Sequence, residues 1–218
     1  MKKLLCLAAA ICLLLAIGGC GGGENDNGND TGAETSPEAT QVSMVEVTPE
    51  VAEDGYIYVI FPENVLGGAS AEDAIDLGDE ETSKAISVYL EDYYANEDGT
   101  ATFVFDSYGF EWYRSNMFEY GQLPLYTNST AINRVVYEDE MLTQITVYVD
   151  KEKYISGDSY TRIIANLGVA VYAGQYQVLS GVHHEEWHTT ITMVDEESGE
   201  ILSENEFPSD DMYSASAY

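Results

Sequence analysis

The stretch from Asp158 to Gly181 carries the clearest helical pattern of apolar residues in the chain. Positions three and four apart along it are apolar or small, which is the spacing of one helix face. That face comprises Ile163, Leu167, Ala170, Val171, Gly174 and Val178. Because the opposite face is also largely apolar, we expect a helix that is buried on most sides. Asp158 or Ser159 can cap its start, and Gly181 can end it in the left-handed conformation.

A membrane span is the alternative interpretation of this stretch. Three polar residues, Asn166, Gln175 and Gln177, interrupt the apolar run, and Arg162 bounds it. The uninterrupted part is therefore short for a span of about 20 apolar residues. We predict instead a core helix, Ser159–Leu179, that packs on a sheet and whose small residues let a neighbouring segment approach closely.

Strand patterns lie on both sides of this helix. Tyr56–Phe61 is apolar at every position, which predicts a strand buried on both faces. Alternating apolar residues that flank short turns predict three β-hairpins. Their paired segments are Ile86–Leu90 with Ala101–Phe105, Ile132–Glu138 with Leu142–Val149, and Trp187–Val194 with Glu200–Phe207.

Two further helices are predicted from capping residues. Ser70 and Asp73 resemble a capping box that opens a short helix. Asp106 or Ser107 begins a longer helix that extends to Gly121. The apolar stripe of this longer helix consists of Phe110, Tyr113, Met117 and Tyr120. Because helices need an apolar face to cover, the predicted fold class is α+β: a mainly antiparallel sheet built from three hairpins, with two main helices packed on it.

The N-terminal residues have the layout of an export signal. Lys2 and Lys3 form a charged region, and the apolar stretch Leu4–Ile17 that follows is too short to span a membrane comfortably. Ile17-Gly18-Gly19-Cys20 then resembles the bacterial lipobox. This resemblance implies cleavage after residue 19 and a diacylglycerol on the Cys20 sulfur. An ordinary cleaved signal, in which Cys20 has no role, is the alternative.

Composition divides the chain into four parts. Residues 1–19 are the predicted lipoprotein signal peptide, and residues 20–42 are the lipidated cysteine with a flexible acidic linker. Residues 43–208 are long enough for one globular α+β domain. Residues 209–218 are predicted to be a disordered acidic tail. Since the other two cysteines, Cys6 and Cys12, leave with the signal, we expect no disulfide and no cysteine-based site.

The formal net charge is −31. Removal of Lys2 and Lys3 leaves six basic against 39 acidic residues, a charge of −33 for the mature chain. Nucleic acid is excluded as a partner because phosphates require a basic surface. Adsorption to anionic headgroups is disfavoured as well, so the predicted membrane contact is the lipid on Cys20. Diffuse Ca²⁺ or polycation binding is an alternative use of this charge, beside simple solubility.

His184-Glu185-Glu186-Trp187-His188 matches the HExxH pattern of zinc proteases. That pattern binds zinc only on a helix, where residues four apart share one face. Here the pattern follows the predicted helix end at Gly181 and continues into a strand. We therefore predict an exposed loop without metal, cofactor or catalytic role. A looser metal site formed by His183, His184 and His188 is the alternative.

Aromatic residues of the longer helix give a candidate binding surface. Trp112 and Phe118 lie off its apolar stripe, and Arg114 is near them. Exposed aromatic and arginine side chains often anchor a partner, and aromatic rings can also stack on a sugar. A second packed layer inside the domain is the alternative explanation.

Several features of the mature chain resemble those of a known family. They are Ile60–Glu63 before Gly67-Gly68 and the Ser70 cap, the Asn96–Gly99 turn, the small-residue helix Leu167–Leu179 that ends at Ser180-Gly181, and the hairpin Val194–Ile201. With the lipobox, they make most of the mature chain similar to the small, uncharacterised lipoproteins of clostridial Gram-positive bacteria. The resemblance implies the cellular address and the α+β architecture, and it transfers no catalytic residue.

The chain departs from that family in the longer helix. Relatives are typically rich in Met, Glu and Lys there, whereas this chain has Trp112, Tyr113, Phe118 and Tyr120. The sequence thus favours a non-enzymatic surface lipoprotein that binds or scaffolds an unidentified partner of the cell envelope. A cell-wall or peptide hydrolase acting through acidic residues and a small solute-binding receptor are the alternatives.

Overall fold

The computed structural model describes residues 38–39, 42–66, 89–122, 131–157, 164–209 and 212. Several predictions concern residues outside these ranges. They are the signal peptide, Cys20, most of the linker, the short helix after Ser70, most of the strand Ile86–Leu90, the start of the core helix at Ser159, and nearly all of the acidic tail.

The described residues form eight strands and three α-helices, which we number in chain order. The strands are β1 (Glu38–Ala39), β2 (Ile57–Phe61), β3 (Asp92–Ala95), β4 (Ala101–Phe105), β5 (Ile132–Tyr137), β6 (Gln144–Val149), β7 (Thr189–Asp195) and β8 (Ile201–Phe207). The helices are α1 (Ser107–Gln122), α2 (Lys151–Ser156) and α3 (Val169–Leu179). A π-helical turn, Ile164–Gly168, precedes α3, and a 3-10 turn, Glu63–Val65, follows β2.

The strands belong to two sheets, and the predicted α+β class is confirmed. One sheet has the order β2-β4-β3 and is antiparallel throughout. The other has the order β1-β5-β6-β7-β8 and is mixed. Its hairpins β5–β6 and β7–β8 are antiparallel, whereas β1 runs parallel to β5 and β6 runs parallel to β7. Four of these six pairings are antiparallel, as expected for a sheet system made of hairpins.

Three details differ from the predictions. The partner of β4 is β3, because residues 89–90 form no strand and the chain enters the sheet at Asp92. β1 lies inside the predicted linker, where no strand was expected, and pairs with β5. β2 is buried on one face only, since Tyr58 and Ile60 are exposed.

Helix α3 forms the centre of the domain. Ten of its eleven residues are buried, and Gln175 is the exception. The helix packs against α1, β2 and β7, so it contacts both sheets. Gly181, with φ of 93°, takes the left-handed conformation just beyond its end, as predicted.

The polar residues of this helical stretch form specific hydrogen bonds. Gln175 Nε2 donates to the Val65 carbonyl at 2.6 Å. Gln177 Nε2 donates to the His188 carbonyl at 2.8 Å, and Gln177 Oε1 accepts from the His188 amide at 3.1 Å. These amides satisfy backbone groups of neighbouring segments that would otherwise be desolvated without a partner. The interruptions that argue against a membrane span thus tie the helix to the rest of the domain.

Gly174 permits the closest packing around α3. A Cβ atom at this position would lie 2.7 Å from Val65 Cγ1 and 2.7 Å from Trp187 Cε3. Both neighbours are fully buried, and Trp187 Nε1 donates to Asn64 Oδ1 at 2.9 Å. Neither side chain can therefore withdraw cheaply, and the small residue predicted for close approach is required here.

We expect Gly174→Ala to lower the free energy of unfolding by about 1–3 kcal/mol, because the added methyl group overpacks the site. Helix propensity alone would give the opposite sign, a gain of about 0.5–1 kcal/mol. Urea denaturation of Gly174→Ala, Val65→Ala and the double variant measures both. We expect Val65→Ala to offset part of the cost of Gly174→Ala, because the smaller side chain makes room for the methyl group. If the changes in unfolding free energy of the two single variants simply add in the double variant, the steric contact is absent.

Candidate functional site

The HExxH segment lies in a turn, not in a helix. Residues 184–186 form this turn after the end of α3, and β7 begins at Thr189. Trp187, the fourth residue of the pattern, is buried, and the backbone of His188 is held by Gln177. The segment therefore anchors a loop to the core through its tryptophan.

Two of the three imidazole rings contact each other, and the third makes a different contact. His183 and His184 stack with ring centroids 4.4 Å apart, and His183 Nδ1 lies 3.9 Å from a Glu185 carboxylate oxygen. His188 Nδ1 lies 3.3 Å from the Glu186 carbonyl oxygen. Within the described residues, no three metal-ligating side chains are arranged to hold an ion.

We predict that the purified protein retains no stoichiometric zinc after extensive dialysis, because the described residues bring no three metal-ligating side chains together here. Elemental analysis measures the zinc content per chain. A single tightly held zinc that is lost in the His184→Ala/His188→Ala variant would contradict this prediction and revive the protease interpretation.

Trp112 and Phe118 both take part in aromatic contacts within the domain. Trp112 stacks on Tyr89, with centroids 3.5 Å apart and planes 7° apart. Phe118 packs on Tyr176 of α3 at 4.9 Å. Each is half-buried, so one side of each ring is used in packing. A binding role for these two residues stays a prediction.

Arg114 lies in the interior, with 2% of its side chain exposed. Its guanidinium donates to the Val45 carbonyl, to Ser180 Oγ at 3.3 Å and to a Glu111 carboxylate oxygen at 3.4 Å. Arg114 therefore links α1 to the segment before β2 and to the end of α3. This position gives the residue a structural task, and it does not join Trp112 on an open surface.

We expect Arg114→Met to lower the free energy of unfolding by about 1–3 kcal/mol, because the Val45 carbonyl and Ser180 lose a buried donor. Arg114→Lys should also destabilise, since an ammonium group lacks the forked geometry. Lys153→Met is the matched control: its ion pair with Asp150 is exposed, and its loss should cost below about 1 kcal/mol. Equal melts for Arg114→Met and wild type would contradict the assignment.

The outer face of the three-stranded sheet carries exposed tyrosines, and we call it the tyrosine face. It consists of Tyr56, Tyr58 and Ile60 from β2 and the residue before it, and Asp92 and Tyr94 from β3. Strand register places Tyr58, Val104 and Asp92 in one row and Ile60, Thr102 and Tyr94 in the next. Tyr58, Ile60 and Tyr94 are 45%, 42% and 44% exposed, which is high for large apolar side chains in a sheet.

A carboxylate accompanies these rings. Tyr58 Oη donates to Asp54 Oδ2 at 2.6 Å, and the Tyr56 amide donates to Asp54 Oδ1 at 3.1 Å. The Tyr58 hydrogen bond, with the weaker one from the Tyr56 amide, lowers the pKa of Asp54. The same Tyr58–Asp54 bond raises the pKa of Tyr58 to about 12. At neutral pH the face therefore presents the neutral phenol ring of Tyr58 beside the ionised carboxylate of Asp54.

The basic residues within the described ranges are engaged away from this face. Each of the four lysine and arginine residues in the described ranges contacts a carboxylate elsewhere. The pairs are Arg114–Glu111, Arg134–Glu196, Lys151–Glu200 and Lys153–Asp150. Among the residues that the structure describes, the charged groups at the tyrosine face are therefore the carboxylates Asp54 and Asp92.

Sequence reasoning missed this face because Tyr56–Phe61 is apolar at every position. Such a run cannot show which side faces solvent, and we predicted burial on both. The available signal was the residue type: tyrosine alternates with Ile57 and Val59, and its hydroxyl favours a wet environment.

An open acidic cleft of about 580 Å³ lies at one end of the five-stranded sheet. Its lining includes Asp150, Asp195, Glu196 and Lys151. Hydrogen bonds from the backbone amide and side chain of Lys153 lower the pKa of Asp150, and the Ser198 hydroxyl lowers the pKa of Asp195. A hydrolase acid needs a carboxyl whose pKa is raised, so both shifts have the wrong direction for that role.

Comparisons with protein-family models, with curated proteins and with solved structures find no match to this chain. In the part of the chain that the structure describes, the helices are too short or too polar to traverse a lipid bilayer.

Proposed function

We propose that this chain is a lipid-anchored surface lipoprotein of a bacterial cell envelope that binds or scaffolds a partner without catalysing a reaction. The observation that carries the proposal is the N-terminal pattern: Lys2-Lys3, the apolar stretch Leu4–Ile17, and Cys20 after two glycines. The resemblance to small clostridial lipoproteins supports the same address.

Charge supports attachment through lipid. A mature chain of −33 is repelled by anionic headgroups, so protein side chains give little membrane affinity. Two acyl chains on one cysteine are sufficient for stable anchoring. The first strand, β1, begins at Glu38, and the polar residues between Cys20 and this strand give the domain a mean reach of roughly 25 Å from the lipid if they act as a flexible tether.

Two observations favour binding over catalysis. Hydrogen bonds lower the pKa of Asp150 and of Asp195 in the acidic cleft, which favours an ionised carboxylate over a proton donor. The tyrosine face, by contrast, leaves large apolar area in contact with water next to charged residues, an arrangement typical of interaction surfaces. The hydrolase and the solute receptor remain alternatives without an observation of their own.

We expect Cys20→Ala to abolish incorporation of labelled fatty acid and to leave the protein unprocessed or released from the membrane. The folded domain begins well after Cys20, so its thermal melt should not change. Metabolic labelling with a fatty acid, followed by membrane fractionation, measures both effects in cells of a lipoprotein-processing bacterium.

Cys12→Ala is the matched control, because it removes a cysteine from the apolar stretch and should leave lipid labelling intact. The proposal fails if Cys20→Ala protein stays in the membrane after alkaline washing while it lacks fatty acid. The attachment would then have to come from another part of the chain.

A further inference from the structure

We propose that the tyrosine face binds a cationic polypeptide segment, one that presents lysine or arginine side chains. This inference names the partner class for the binding role proposed above and rests on that role. The occupant is argued from charge complementarity between the face and its surroundings.

The first argument is the area that the face leaves uncovered. Tyr58, Ile60 and Tyr94 project from the two outer strands, while Thr102 and Val104 on the central strand between them are buried. The exposed apolar surface therefore lies in two rows, one on β2 and one on β3, with the buried residues Thr102 and Val104 between them. Two rows of this kind suit an extended segment whose side chains reach rings on both sides.

The second argument is the sign and position of the charges. Asp54 is hydrogen-bonded to Tyr58, and Asp92 lies in the same row as Tyr58, two strands away. With strands about 4.8 Å apart, the two backbones are separated by roughly 10 Å. A lysine or arginine side chain placed over either ring thus has a carboxylate within reach.

The third argument is the ring chemistry. The negative face of a tyrosine ring attracts a cation at about 0.5–1 kcal/mol in an exposed site in the general case. The hydrogen bond that Tyr58 donates to the Asp54 carboxylate polarises its hydroxyl and adds electron density to that ring. No described lysine or arginine of the protein occupies this position, since all four are paired with other carboxylates.

The same charges disfavour a second copy of the chain and a polyanion as occupants. A second copy of the chain would bring another −33 and, in a symmetric contact, a second set of the same carboxylates. A polyanion is repelled for the same reason. A neutral glycan could stack on the rings but would leave Asp54 and Asp92 without a counter-charge, so the polypeptide cation fits more of the face.

The test uses the full chain purified in neutral detergent and fluorescein-labelled twelve-residue peptides of alternating Lys and Gly, Glu and Gly, or Ser and Gly. Fluorescence anisotropy should show saturable binding of the Lys peptide only. Tyr58→Ser/Tyr94→Ser should weaken that binding about tenfold, since two cation–ring contacts are lost. Tyr108→Ser, which removes a 68% exposed tyrosine of α1, should leave binding within about twofold of wild type.

A second pair of variants separates the face from diffuse charge. Asp54→Asn/Asp92→Asn and Glu204→Gln/Glu206→Gln remove the same charge, the latter from exposed positions of β8. Only the former should weaken binding about tenfold. Equal losses in both pairs would overturn the proposal in favour of diffuse attraction, as would absence of Lys-peptide binding by a folded protein.

Two further outcomes overturn the proposal. Binding of a neutral oligosaccharide that is lost in Tyr58→Ser/Tyr94→Ser would identify a glycan surface. Concentration-dependent dimerisation lost in the same variant would identify a self-association surface. The peptide assay and the lipid labelling are independent, so Cys20→Ala protein should bind the Lys peptide like wild type. If the wild-type protein is labelled with lipid but does not bind the peptide, this inference is wrong and the lipoprotein proposal is unaffected.

Discussion

The fold depends on the burial of α3 on all sides, which the contact at Gly174 makes possible. Val65 lies in the 3-10 turn after β2, and Trp187 lies just before β7. Both side chains contact α3 at Gly174. Trp187 is tied to Asn64, and Gln175 is tied to the Val65 carbonyl, so the same few residues connect the three-stranded sheet, the helix and the approach to β7. A Cβ atom at Gly174 would displace Val65 and Trp187 from the helix, because a protein interior at native packing density has no free space for it.

This constraint also decides what the HExxH sequence can do. The tryptophan inside the pattern must be buried against Gly174, and Gln177 takes up both backbone hydrogen-bonding groups of His188. These requirements fix an irregular turn, whereas zinc proteases need the same residues on a helix. The burial of Trp187 therefore prevents this segment from forming the helix of a zinc protease, although its sequence matches the HExxH pattern.

Periodicity predicted the elements well, because it reports local burial. The span of α1, the hairpins β5–β6 and β7–β8 and the burial of α3 all follow from apolar spacing. The division into two sheets and the parallel pairs β1–β5 and β6–β7 could not be predicted, since local patterns do not say which strands become neighbours after a crossover. The burial of Arg114, which the sequence placed near a binding surface, was missed for a similar reason: it depends on the carbonyl of Val45, 69 positions away.

The short-range contacts of the tyrosine face distinguish it from the rest of a highly acidic molecule. Salt at physiological concentration screens the attraction of carboxylates beyond about 8 Å, so the formal net charge of −31 draws cations towards the protein but selects no site on it. Selection requires short-range contacts that only one surface offers. Tyr58 beside Asp54 supplies such a contact, with a ring held in place by the hydrogen bond and a carboxylate kept ionised by it. In the proposed interaction, diffuse charge and the tyrosine face act at different distances. Diffuse charge affects the rate of encounter, and the face affects where a cationic segment binds.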